Sequence, residues 1–158
     1  MDRFFYVKRL ENSADVDEPA LRAVLDHWTS CKENTDIPLR KNVNPAAIVR
    51  HLPYVGMVDV LEDGKDFRFR LLGNDIGQLV GSGSSKRLLS EYPNRRGRDQ
   101  MAELFKACLD YRQPVYSHGT LEHYDRAFTT FKTLCLPLSE DGQTVTTLLC
   151  ATHVQSHR

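Results

Sequence analysis

The sequence predicts an α+β domain: a five-stranded antiparallel sheet, a helical crossover on one face, and a helix near the N-terminal end. Three observations carry this. Two apolar stretches flank Glu62-Asp63-Gly64-Lys65, and the second, Phe67-Arg68-Phe69-Arg70-Leu71, alternates with a period of two. One strongly one-sided helical pattern follows at residues 100–111. Three further strand-like stretches then run to residue 154, the last two separated by Ser139-Glu140-Asp141-Gly142. Two strands, a helical crossover and three strands fit one antiparallel sheet with helices on one face.

Taken in order, residues 1–16 are an N-terminal arm and residues 17–158 a single domain, with no repeat or low-complexity linker between them. Asp17 and Glu18 precede Pro19, a combination that suits a helix start. Leu21, Val24, Leu25 and Trp28 then recur at i, i+3, i+4 and i+7. An apolar stripe carrying Trp has to be covered, either by the body of the domain or by a second copy of the chain. The second case makes these four residues a candidate dimer interface. Asn44-Pro45 is a cap and first-turn pair for a short helix over residues 46–50, and a strand is expected at 54–61.

In the strand after the Asp63-Gly64 turn, Phe67, Phe69 and Leu71 face the core and Arg68 and Arg70 face out. Gly73-Asn74-Asp75 ends it, and residues 76–80 read as a short helix. Gly81-Ser82-Gly83-Ser84-Ser85 is a loop, and Leu88, Leu89 and Tyr92 pack a further helical turn. Asp99 is the expected cap of the 100–111 helix, whose stripe is Met101, Leu104, Phe105 and Cys108. The closing strands fall at 114–121, 127–138 and 144–154.

Composition narrows the function classes. With 21 Lys plus Arg against 21 Asp plus Glu, no net field attracts nucleic acid or an anionic membrane. No stretch approaches the roughly 20 apolar residues that cross a bilayer. The first ten residues mix Phe4, Phe5 and Tyr6 with Arg3, Lys8 and Arg9 and do not form an export signal. Cys31, Cys108, Cys135 and Cys150 are scattered without a CxxC pair, so reduced, buried thiols and a cytoplasmic location are expected.

Three ordered stretches carry a family likeness. The first holds Trp28, then Ile37-Pro38-Leu39-Arg40-Lys41-Asn42-Val43-Asn44-Pro45, then His51-Leu52-Pro53-Tyr54. The second runs from Phe67 to Ile76 through Gly73-Asn74-Asp75, with Gly81 beyond it. The third is Leu136-Pro137-Leu138-Ser139-Glu140-Asp141-Gly142. In this order and spacing they resemble the PAS (Per-Arnt-Sim) domain over residues 20–154, and within it a compact single-domain bacterial subgroup. Lys86-Arg87 departs from that pattern, which has a second Gly in this loop.

The resemblance implies a sensor or signal-relay module that binds a small ligand or a protein partner and does no catalysis. It places a pocket between the inner sheet face and the crossover, drawing on Val58, Phe67, Phe69, Ile76, Leu79, Phe105, Phe131, Leu134 and Leu148. Because no output segment follows residue 154, the signal is expected to pass to a homodimer partner or a separate signalling protein. The alternatives are a ligand-free dimerisation module and a small enzyme using the inner cavity.

No haem, flavin or metal signature is visible, so the cofactor is left unassigned. His27 and Cys31 share a helix face without further ligands, and His118 and His123 flank a hairpin turn. No GxSxG, P-loop or GxGxxG is present. The cluster Lys86, Arg87, Arg95, Arg96 and Arg98 lies beside a helix start, and Arg95, Arg96 and Arg98 are candidates for holding an anion.

Overall fold

A computed structural model describes residues 5–81, 86–121 and 126–156. The strands are β1 (Phe5–Arg9), β2 (Val55–Leu61), β3 (Asp66–Leu72), β4 (Val115–Leu121), β5 (Arg126–Ser139) and β6 (Val145–Ser156). The helices are α1 (Pro19–Ser30), α2 (Asn74–Val80) and α3 (Arg95–Tyr111), with short 3-10 turns between them. All strands join one antiparallel sheet in the order β1-β4-β5-β6-β2-β3.

The expected fold class is found, with six strands rather than five. The extra strand comes from the stretch read as an arm: Phe5 pairs with Gly119 and Arg9 with Val115. Its five residues, FYVKR, bury only Phe5, which is too short and too polar to signal a strand by alternation. Pairing with β4 satisfies the inward-facing backbone groups of β1 and covers the edge of β4. At the opposite edge, the Phe69 amide donates to the Arg87 carbonyl at 3.0 Å, so residues around Arg87 screen β3.

Helices occupy both faces of the sheet. On one face α3 packs with residues 89–92 over Val58, Phe67, Phe69, Val115, Cys135 and Leu148. On the other, the stripe of α1 packs over Tyr116, Leu134, Leu136, Leu138, Leu149 and Ala151. The alternation of Leu134 and Cys135 between the two clusters is the period-two rule of a strand buried on both sides. It also explains why β5 and β6 read as nearly continuous apolar runs.

The stripe of α1 is therefore covered by the chain's own sheet. Leu21, Val24, Leu25 and Trp28 are at most 4% exposed, which corrects their assignment to a dimer interface. Burying four such side chains contributes roughly 1.5–3 kcal/mol each, and the sheet supplies that within one chain.

Helix α3 starts five residues ahead of the expected 100–111 span. Asn94, not Asp99, is the cap: its side-chain oxygen accepts from the Gly97 amide at 2.9 Å. Gly97 is a poor helix former, and the three arginines interrupt the apolar periodicity and oppose the dipole at an N-terminus; the cap overrides both. The second hairpin turns through Gly142 at φ 87°, where a Cβ would run into Thr35, so glycine is required twice over.

Candidate functional site

The site is built on the inner face of the sheet, under α3. Ser117 on β4 lies opposite Thr133 on β5, and Thr133 lies opposite Thr152 on β6. Three hydroxyl side chains thus form one row across three neighbouring strands, all at most 8% exposed. The Thr133 and Thr152 hydroxyls bond each other at 2.9 Å. The Ser117 Oγ has no partner among the described residues, although it is wholly buried. An unpartnered buried hydroxyl carries a desolvation cost of about 1–3 kcal/mol, so it needs an explanation.

The space above this row supplies one. A cavity of about 110 Å³ lies between the row and α3. Gly97, Gln100, Met101 and Leu104 line it from α3, at the spacing of one helix face, joined by Phe105. Val58 from β2, Phe69 and Leu72 from β3, Ile76 from α2 and Phe5 from β1 form the walls with Phe131. Every strand and two helices contribute, and among the described residues no charged side chain lines it. Gly73 sets the β3-to-α2 corner behind this wall: its amide donates to the Val55 carbonyl at 2.8 Å, and any Cβ there would collide with the Leu52 carbonyl oxygen.

Five of the nine expected pocket residues line the cavity: Val58, Phe69, Ile76, Phe105 and Phe131. Phe67 and Leu148 are on the correct face but are packed in the core beside it. Leu134 is a correction: it faces α1 on the other side of the sheet, because the strand facing slips by one at this doubly buried stretch. The side chain of Leu79 lies outside the described residues. The helix-face spacing of Gln100, Met101 and Leu104 could have flagged α3 as the roof. Nothing in the sequence marks Ser117, Thr133 and Thr152, because their alignment exists only through strand register.

Three of the scattered cysteines converge beside the cavity. Cys150, which lines it, has its Sγ 3.5 Å from that of Cys135, its register partner. Cys108 Sγ lies 3.6 Å from the Cys135 carbonyl. All four cysteines are free thiols. Burial pushes the Cys135 thiol well above its ordinary pKa, and the neighbouring thiols of Cys108 and Cys150 push it further.

The remaining candidates lie elsewhere. His27 Nε2 accepts from the Asn44 amide at 2.9 Å, while Cys31 Sγ donates to the Asn42 carbonyl at 3.2 Å. The pair fastens α1 to the following loop, and the bond from Asn44 occupies the lone pair that a metal would use. Among the described residues no group of three or more His, Cys, Asp or Glu is arranged to hold a metal. His118 is exposed on the face opposite the cavity, stacked on Tyr6 at 5.0 Å between ring centres. His123 and Ser82, Ser84 and Ser85 lie outside the described residues. Arg95 and Arg96 are exposed on the first turn of α3, and Arg98 donates to the Tyr92 carbonyl at 3.3 Å. No helix of the described residues is long and apolar enough to cross a membrane.

Comparison with known proteins gives one family. A family model described as the PAS domain matches residues 16–152. No curated protein matches the chain, and no solved structure does.

Proposed function

This chain belongs to the PAS domain family, whose members are sensory and protein-interaction modules, and we propose that it holds a small molecule between α3 and the sheet. The observation that carries this is the cavity itself. Protein interiors are close-packed, and voids larger than a water are few. Here a partly open space of about 110 Å³ sits above a row of buried hydroxyls, one of them unpartnered.

A molecule in that space touches α3 and all six strands, so its presence biases how the helix sits on the sheet. The receiver is a second copy of the chain or a separate signalling protein in the cytoplasm. No catalytic step is assigned. Among the described residues the cavity lining offers no carboxylate, imidazole or amine to move a proton, which supports a binding role.

Native mass spectrometry of freshly purified protein is the test. A retained small-molecule mass, or one taken up from a library of small neutral compounds, is expected. A domain that stays empty and takes up nothing would rule the reading out.

A ligand-free interaction module is the second reading. Val49 and Leu71 are about three-fifths exposed, at 60% and 59%, and supply apolar surface that a protein partner would cover. Sedimentation at rising protein concentration distinguishes the two: a self-associating, ligand-indifferent chain favours the second.

A further inference from the structure

Resting on the reading of the cavity as a binding site, we infer that its ligand is a neutral molecule of single-ring size carrying one oxygen acceptor, directed at Ser117. Charge sets the first limit. Among the described residues the lining has no Asp, Glu, Lys, Arg or His, and a charged group buried against it would go uncompensated. An isolated ion in such surroundings is strongly disfavoured, so carboxylates and ammonium compounds are excluded.

Size sets the second. The cavity is about 110 Å³, somewhat below the roughly 150 Å³ of an engineered apolar cavity that accepts benzene. A space of this size encloses about one ring, and a larger molecule would have to reach out through its partly open side.

Hydrogen-bond counting sets the third. The row of Ser117, Thr133 and Thr152 carries three O–H groups. One is used between Thr133 and Thr152 at 2.9 Å. Whichever threonine accepts that bond keeps its own O–H undirected, and the Ser117 hydroxyl has no partner among the described residues. The cavity floor therefore has two O–H donors without an acceptor among the described residues, and Gln100 in the roof is the other polar side chain a ligand meets. A carbonyl, ether or phenol oxygen placed over β4 satisfies Ser117 and can reach the threonine pair. The Cys150 thiol is directed at Cys135 and does not compete.

Titration calorimetry with three probes of similar size tests this: cyclohexanone, toluene and benzoate. Cyclohexanone is expected to bind about fivefold or more tightly than toluene, the range of one ordinary hydrogen bond, and benzoate is expected not to bind. In Ser117→Ala the preference for cyclohexanone over toluene should fall toward parity, with toluene affinity unchanged. Thr152→Val, which keeps the side-chain shape, should weaken cyclohexanone less. Equal binding of cyclohexanone and toluene by wild type and Ser117→Ala alike overturns the acceptor assignment and leaves the cavity as an apolar site. If no probe binds to protein whose spectra show an intact fold, the binding reading falls as well.

Discussion

The indole Nε1–H of Trp28 donates a buried hydrogen bond of 2.8 Å to the Pro137 carbonyl, tying α1 to β5 across 109 positions of chain. Pro137 belongs to the apolar run of β5, and Trp28 is 4% exposed. The contact fixes which face of β5 meets α1. Replacing Trp28 by Phe keeps an aromatic side chain but removes the pyrrole ring with its N–H, leaving the Pro137 carbonyl without its donor beside a small gap. A loss of about 1–3 kcal/mol in urea unfolding is expected, with no change in sedimentation. A variant that dissociates an oligomer without loss of stability would return Trp28 to an interface role.

How far the sequence discloses the fold depends on whether a strand is buried on one face or two. In β3, Phe67 and Phe69 are buried while Arg68 and Arg70 are exposed, as alternation predicts. The register shift at Met57/Val58 then turns Leu71 outward and Leu72 toward the cavity, against the expected core facing of Leu71. In β5 every residue from Thr133 to Ser139 is buried, so the pattern has no contrast from which to read a face. Leu134 lies in that stretch, and its facing toward α1 is set by register alone. Strand β1 carries too few apolar residues to be seen before its partner β4 is in place. The candidate site is legible where one element supplies it, as with the face of α3. It is illegible where it depends on register, as with the hydroxyl row and the pair of Cys135 and Cys150.

The facing of Leu134 has a measurable consequence. It is fully buried against α1 and lies on the far side of the sheet from the cavity. Leu134→Ala should cost about 2–5 kcal/mol in stability and leave the affinity for cyclohexanone unchanged. Phe131→Ala, by contrast, removes a cavity wall and should alter that affinity. A change in affinity on shortening Leu134 would show that the two faces are coupled through β5.

The β5–β6 hairpin makes stability depend on acid. The Asp141 carboxylate accepts from the amides of Thr144 at 2.8 Å and Gln143 at 2.9 Å, and from the Ser139 hydroxyl at 2.9 Å. These bonds, the Thr144 amide foremost, hold its pKa at about 2, below the ordinary 3.8. Because the folded value is the lower one, its contribution is fully present above about pH 4 and is lost as pH falls toward 2. Denaturant midpoints recorded across that window should fall for wild type, and less steeply for Asp141→Asn. Parallel curves for the two proteins would show that the turn does not depend on this charge.

Thiol chemistry gives an independent view of the cavity. Only the thiolate attacks an alkylating reagent, and burial opposes its formation at Cys135, which is fully buried. Cys108 is equally inaccessible, whereas Cys150 is partly exposed and borders the cavity. In native protein at mildly alkaline pH, iodoacetamide should therefore label Cys150 first, with Cys135 and Cys108 following only at the rate of unfolding. Peptide mass mapping over time separates the three. A molecule lodged over Ser117 stands between solvent and Cys150, so saturating cyclohexanone should slow the labelling of Cys150 and leave Cys31, on the other side of the sheet, at its original rate. Equal protection of Cys31 and Cys150 would mean that the compound stabilises the chain globally without occupying the cavity.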